Sequence, residues 1–303
     1  MLRLGVAINP VAGGTRGRVV GEQVLELLGA SGYEVINLSG ETMAAARVRI
    51  ENAIYRGAID ILLLVGGDGM AHLGANLCAE KSVPMALIPA GTGNDAAGVL
   101  GMPMTDTRAC VELILRNLNN PQAIDALKIS HGLKTTWALG AISAGFDALA
   151  NARANKLTWP NGPARYYAAM LLELAKFKPI QYQTVIDGRQ RDFEAMLCVV
   201  SNSGVFGGGM LVVPDASLTD GLLDVLLVKK MSRLKFVAIF PKVYKGTHVT
   251  DKDVEVIRAS KISISAGEMP IYSDGEYVGQ APFEAEIVPG ALKVIAATPS
   301  KGG

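Results

Sequence analysis

The chain has 303 residues, of which 50% are hydrophobic and 19% charged, the balance of a globular protein with a substantial core and a length that suggests two domains. Its 29 Lys and Arg against 28 Asp and Glu leave a formal net charge of +1, which excludes the broad basic field of a nucleic-acid binder and confines any membrane contact to a local patch. Cys78, Cys110 and Cys198 are far apart, odd in number and in no metal-ligand spacing, so neither a disulfide framework nor a zinc site is indicated and a reducing compartment fits.

The first apolar run, through Val6, Ala7 and Ile8, meets Asn9-Pro10 and is too short for a signal segment or a spanning helix. Val6–Ile8 reads as a first strand, and Val20, Val24, Leu27 and Leu28 fall on one face of a following helix. Glu34–Leu38 is a second strand, Met43–Tyr55 a helix, Ile59–Val65 a buried strand, Met70–Glu80 a helix and Pro84–Ile88 another strand. A last helix is expected over Thr105–Asn117, with Thr105 or Thr107 as its N-cap. This alternation predicts parallel strands joined by crossover helices, an α/β domain over residues 1–122.

From residue 123 the texture changes to short alternating stretches: Thr136–Ile142, Gln181–Ile186, Ala195–Val200, Leu222–Val228, Lys261–Ser265 and Phe283–Ile287. They predict an antiparallel β domain over residues 123–288, and residues 289–303 are expected to return to the first domain. Two helices interrupt the strands. One spans Ala164–Phe177, with Tyr167, Leu171, Leu174 and Phe177 at helical spacing, and the other spans Leu234–Tyr244, bounded by Lys235, Lys242 and Lys245.

Three glycine-rich turns fall at the carboxyl ends of the predicted parallel strands: Asn9-Pro10-Val11-Ala12-Gly13-Gly14, Gly66-Gly67-Asp68-Gly69 and Gly91-Thr92-Gly93-Asn94-Asp95. Open α/β sheets place their ligands there, and backbone N–H groups at helix starts attract phosphate. Any one turn is explained by a strand-to-helix connection that needs glycine; three together point to a nucleotide. No Gly-x4-Gly-Lys-Ser/Thr sequence is present, and Gly91, Gly93 and Gly98 are wrongly spaced for a dinucleotide fold. Asp274-Gly275-Glu276 between apolar runs is a strong hairpin signal, and the Asp-Gly of Ser217-Leu218-Thr219-Asp220-Gly221-Leu222 is a weaker one. His72, His131 and His248 are scattered and build no nucleophile motif.

Asn-Pro-x-x-Gly at 9–13, Gly-Gly-Asp-Gly at 66–69, Gly-Thr-x-Asn-Asp at 91–95 and Asp-Gly-Glu at 274–276 together resemble the signature set of the diacylglycerol kinase catalytic family, over nearly the whole chain. The resemblance implies an N-terminal three-layer α/β nucleotide domain, a C-terminal antiparallel β-sandwich and ATP in the cleft between them. It places Asn9, Pro10, Val11, Ala12, Gly13, Thr42, Gly66, Gly67, Asp68, Gly69, Thr92 and Asn94 on ATP. Asp68 and Asp95 fall near a phosphate-bound Mg2+, and a second, structural Mg2+ sits on the Asp220 carboxylate and the carbonyls of Ser217 and Leu222. Asp274 is the expected base, with Glu276 either orienting it or serving as the base itself, and Asp147 in Gly145-Phe146-Asp147 is a candidate for the substrate's polar end.

The implied activity is an ATP- and Mg2+-dependent lipid kinase acting on a membrane-lipid hydroxyl, with diacylglycerol as the first substrate to test. The expected location is cytoplasmic and peripheral to the membrane, with a homodimer left open. The family usually has threonine after Gly-Gly-Asp-Gly and asparagine two residues later, where this chain has Met70 and His72. Methionine lacks the hydroxyl that could hydrogen-bond. An NAD kinase-like enzyme and a catalytically silent lipid- or nucleotide-binding protein are the alternatives. The helical stretch Tyr166–Phe177 with Leu211, Val212 and Val213 is a candidate lining for a lipid pocket.

Overall fold

Six consecutive buried residues, Ile61–Gly66, form a strand with apolar side chains on both faces, which is what a central parallel strand covered by helices on two sides requires. In the computed structural model, which describes residues 1–154, 156–159, 168–169, 172–173 and 177–297, the chain divides into a unit of residues 1–126 with 289–303 and a unit of residues 127–288.

The first unit runs β1 (Arg3–Ile8), α1 (Arg16–Gly29), β2 (Glu34–Asn37), α2 (Met43–Tyr55), β3 (Ile61–Gly66), α3 (Asp68–Cys78), β4 (Met85–Pro89), α4 (Asp95–Val99) and α5 (Thr107–Asn117). The division falls within the next strand, β5 (Gln122–His131). Parallel pairing sets the order β2-β1-β3-β4, and Val294 lies beside Met85 in parallel. Leu4, Val6, Leu62, Leu63, Leu64, Met85 and Ile88 are buried at the centre. The short helix α4 carries no hydrophobic period and escapes a reading of the sequence. The N-cap of α5 is neither threonine considered above: Asp106 has the extended backbone of a cap and its carboxylate accepts the Ala109 N–H at 3.0 Å.

The second unit runs β6 (Lys134–Ala138), β7 (Ala141–Gly145), α6 (Phe146–Ala154), β8 (Ile180–Ile186), β9 (Arg189–Gln190), β10 (Phe193–Ser201), β11 (Val205–Phe206), β12 (Met210–Leu211), β13 (Leu223–Lys229) and α7 (Arg233–Val243). It continues with β14 (Val254–Ala259), β15 (Lys261–Ser265), β16 (Pro270–Ser273), β17 (Glu276–Gln280) and β18 (Phe283–Val294), in which the second division falls. Among the described residues these pairings are antiparallel: β17-β16-β7-β10 continues to β13 and β14, while β8 joins β10 to β15, and β15 pairs β18. Along β13, Leu223, Val225 and Leu227 enter one buried cluster with Ile142, Ile262 and Ile271. The alternate residues Leu226 and Val228 enter another with Phe146, Met196 and Phe236. The period of two divides one strand between two cores, so this sheet is covered on both faces.

Three details differ from the sequence reading. The strand expected over Thr136–Ile142 is two, β6 and β7, broken at Leu139-Gly140. Ser203–Gly209, whose serine and four glycines read in the sequence as a wide loop at a sandwich end, instead holds β11, which pairs with β12 as a hairpin turned by Gly207, Gly208 and Gly209, all at positive φ. The helix over Ala164–Phe177 lies largely outside the described residues, among them Tyr167, Leu171 and Leu174; Phe177 is buried edge-on against Phe146 at a centroid distance of 5.1 Å.

Candidate active site

In the first unit the three glycine turns meet at the carboxyl edge of β1, β3 and β4. A Cβ on Gly13, whose φ is +55°, would stand 2.6 Å from the Ala90 carbonyl oxygen, and one on Gly91 would stand 2.5 Å from the Gly67 Cα. The first turn thus packs on the third and the second on the third, backbone against backbone, which only glycine permits. Asn94 holds the third turn closed from a left-handed φ of 60°: its Oδ1 accepts the Gly91 N–H at 2.8 Å and its Nδ2 donates to the Gly91 carbonyl at 3.0 Å. Asp68 joins the second turn to α4, its Oδ1 accepting the Ala96 N–H at 3.0 Å. The missing side chain of Gly93 leaves room for the other oxygen, 2.7 Å from where a Cβ would sit.

The result is a backbone-lined rim at which α3 and α4 begin, each with an aspartate, Asp68 or Asp95, in its first turn. Asn9 turns back into its own loop, its Oδ1 accepting the Val11 N–H at 3.3 Å. Val11 and Thr92 are exposed and Pro10 is half-buried, while Ala12 is buried. Thr42 is the N-cap of α2 and accepts the Ala45 N–H at 3.1 Å. Met70, the departure after Gly-Gly-Asp-Gly, is buried at 1% exposure and packs on Gly66, where an added Cβ would lie 2.4 Å from its Cγ. In this chain position 70 is core.

In the second unit Asp274 and Gly275 make the two-residue turn joining β16 to β17, with φ of 50° and 86°, as Asp-Gly predicts. The Asp274 carboxylate reaches across to the break between β6 and β7 and accepts three backbone N–H groups, of Leu139 at 3.2 Å, Gly140 at 2.9 Å and Ala141 at 3.1 Å. That is the physical reason for the break: these amides serve the carboxylate instead of a strand ladder. Asn202 clamps the same segment from β10, donating from Nδ2 to the Leu139 carbonyl at 3.1 Å. The sequence reading passed over Asn202, although a buried Ser-Asn at the end of an apolar strand is a usable signal. Glu276, at the start of β17, is exposed.

The 217–222 turn is self-tied, its Asp220 Oδ1 accepting the Leu222 N–H at 3.1 Å and the Ser217 Oγ accepting the Thr219 N–H at 3.3 Å. The other Asp220 oxygen ion-pairs with Arg258, which also faces Asp224 at 3.6 Å. Asp224 is buried with one oxygen unpartnered. Burial pushes its carboxyl up from the usual range; Arg258 opposes that rise and Asp220 and Asp215 add to it. Among the described residues no three His, Cys, Asp or Glu side chains gather as a metal-ligand group.

Asp147, in the first turn of α6, lines an apolar cavity together with Phe146, Met210, Val212, Leu226, Phe236, Ile239 and His248. Of the sequence candidates Leu211, Val212 and Val213, Val212 belongs to this lining. Asp147 is 8% exposed and neither of its oxygens completes a hydrogen bond. Burial raises its carboxyl to about 6 against a weak pull from Ser143 and the Ala148 N–H. His248 is 1% exposed; its Nε2 lies 2.9 Å from the Val212 carbonyl and its Nδ1 has no hydrogen-bond partner. Burial lowers its pKa, so the ring is neutral at pH 7.

A parallel sheet with converging glycine turns in one unit and an antiparallel sandwich in the other define a two-part nucleotide-handling protein. Residues 3–129 match the diacylglycerol kinase catalytic domain, and residues 140–296 match the YegS C-terminal NAD kinase beta sandwich-like domain. The chain belongs to the diacylglycerol kinase catalytic family. A protein of Mycobacterium tuberculosis named diacylglycerol kinase is 31% identical over 288 residues, covering 95% of this chain and 93% of its own. A diacylglycerol kinase crystal structure from Bacillus anthracis str. Sterne shares the fold at a TM-score of 0.73 and 20% identity, over 99% of this chain and 97% of its own. An NAD kinase from Archaeoglobus fulgidus, solved with ATP, is similar at a TM-score of 0.55 and 16% identity, over 97% and 92%.

Proposed function

We propose that this protein transfers the γ-phosphoryl group of ATP to a lipid hydroxyl, with diacylglycerol, giving phosphatidic acid and ADP, as the substrate to test first. The observation that carries the lipid over a water-soluble acceptor is the cavity of the second unit, apolar except for Asp147 and His248. An apolar lining of this kind suits an acyl chain better than the polar groups of a dinucleotide. Asp147 and His248 hold unused hydrogen-bonding capacity for the few oxygens or hydroxyls the lipid carries.

ATP phosphates are assigned to the amides of the 9–13, 66–69 and 91–95 turns, where helix starts concentrate positive potential. Asn94 shapes that rim, and Thr42, at the start of α2, is assigned to ATP beside it. Magnesium suits the hard oxygens of Asp68 and Asp95 on the first turns of α3 and α4, and the room left at Gly93 fits the Asp68 carboxylate to that use. When bound, it neutralises charge on the phosphate oxygens. A structural magnesium on Asp220, Ser217 and Leu222 would displace Arg258; Asp220 and Asp224, which share that one arginine, supply the negative charge for it.

The lipid hydroxyl loses its proton as it bonds to phosphorus and ADP leaves. The sequence puts the base on Asp274, with Glu276 orienting it or serving as the base itself, and of the two the hydrogen bonds favour Glu276. Three N–H donors occupy the Asp274 carboxylate and make it a holder of the hairpin, whereas Glu276 is exposed two residues on. The test is transfer of labelled phosphate from ATP to a panel of lipids in mixed micelles, with NAD as the soluble control. Label in an organic-phase product supports the reading. Label on NAD alone would replace it with an NAD kinase, and no label with ATP still bound would leave a silent binding protein.

A further inference from the structure

Helix α7 is apolar on both sides. Phe236, Ile239, Phe240 and Val243 line the cavity. On the opposite side Leu234 is 86% exposed and Val237 47%, and Ala238, Pro241 and Tyr244 are exposed with them. Positions 234, 237, 241 and 244 fall on one stripe at helical spacing. A helix that is hydrophobic all round is buried or rests in lipid, and this one has one face in water.

The cations around it sort into two kinds. Lys235 is held by Asp251 at 2.7 Å and Asp253 at 2.5 Å, and is therefore part of the fold. Lys242 and Lys245 are exposed at the carboxyl end of the stripe and make no ion pair within 4 Å among the described residues, Lys242 acting on Asp251 only from a distance. An apolar stripe edged by unpaired lysines is complementary to one occupant, the headgroup and upper acyl layer of an anionic bilayer.

We propose that α7 docks the protein on an anionic membrane surface, with Leu234 and Val237 in the acyl boundary and Lys242 and Lys245 on the headgroups, while its other face forms the cavity wall. Resting on the lipid-kinase reading, this makes α7 the partition a lipid passes from bilayer to cavity. It also makes interfacial binding separable from chemistry, because none of the four docking side chains belongs to the cavity lining except through the backbone they share.

The experiment is co-sedimentation with vesicles of phosphatidylglycerol and phosphatidylcholine that contain no diacylglycerol. The full chain is compared with Leu234→Asp/Val237→Asp, with Lys242→Glu/Lys245→Glu, and with Leu133→Asp as an exposed apolar control on the β5–β6 turn. The first variant is expected to lose at least about tenfold in partitioning, and the second about fivefold per lysine, a loss that disappears on neutral vesicles. Leu133→Asp is expected to bind as the unaltered chain does. Turnover of a short-chain, water-soluble diacylglycerol stays unchanged in all three, while turnover of bilayer-presented substrate falls with vesicle binding.

Vesicle binding unaltered in Leu234→Asp/Val237→Asp, or absent from the unaltered chain, would overturn the proposal. So would a dimer in sedimentation equilibrium that this variant dissociates, since the stripe would then belong to a second copy. Binding that depends on α7 in a protein that phosphorylates no lipid would sustain the docking surface and remove the kinase reading alone.

Discussion

Asp147 is a carboxylate in an apolar cavity, and its linkage to stability has an unusual sign. Its pKa is about 6 in the folded chain against 3.8 for an ordinary aspartate, so the folded state binds the extra proton between those values. Stability therefore falls as pH rises from about 4 to about 6, by up to about 3 kcal/mol, and stays lowered above. Asp147→Asn is expected to flatten that part of the profile in thermal melts from pH 4 to 7 and to weaken lipid turnover. His248 acts in the same range with the opposite slope: its lowered pKa means the unfolded chain protonates first, so stability is lost as pH falls below about 6.5. Melts of His248→Gln separate the two.

The two carboxylates of the 274–276 hairpin divide differently. Asp274→Asn retains one accepting oxygen for three N–H donors and is expected to lower stability by about 2 kcal/mol, read as a lower melting temperature. Glu276→Gln is expected to leave the melt unchanged and to cut phosphoryl transfer by about a hundredfold or more. The reverse pattern would return the base to Asp274.

Among the elements, the helix starts carry separable roles. The Thr42 hydroxyl caps α2, so Thr42→Ala is expected to cost about 1 kcal/mol with no nucleotide present, and a loss seen only with ATP would deny that role. The first glycine turn depends on closeness more than on freedom of φ. A Cβ on Gly17, the second residue of α1, would stand 2.0 Å from the Asn9 carbonyl oxygen. Gly17→Ala must displace the loop that Gly13 seats against Ala90, and ATP affinity measured by calorimetry is expected to fall with it.

For the molecule as a whole, a net charge of +1 gives no long-range pull toward an acidic surface, so any membrane attraction is the property of one patch and is screened by salt. Among the described residues no helix is long and apolar enough to cross a membrane. Binding of ATP to the folded state alone raises stability by mass action, about 2.7 kcal/mol at a hundredfold excess over Kd. A melting temperature indifferent to ATP would remove the nucleotide from the reading.

The sequence by itself determined the alternation of strand and helix in the first unit, the antiparallel texture of the second, the three glycine turns and the Asp-Gly hairpin, because each is a local rule of period, cap or turn. It could not supply the tight seating of Gly13 on Ala90 and Gly91 on Gly67, or the three amides gathered by Asp274 from residues some 135 positions away. Nor could it separate Lys235, bound into the fold, from Lys242, or show that Met70 turns into the core and that Asp147 and His248 face one cavity. These are contacts between segments distant along the chain, and the tertiary structure decided them, since only packing fixes which buried polar groups find partners and which are left for a ligand.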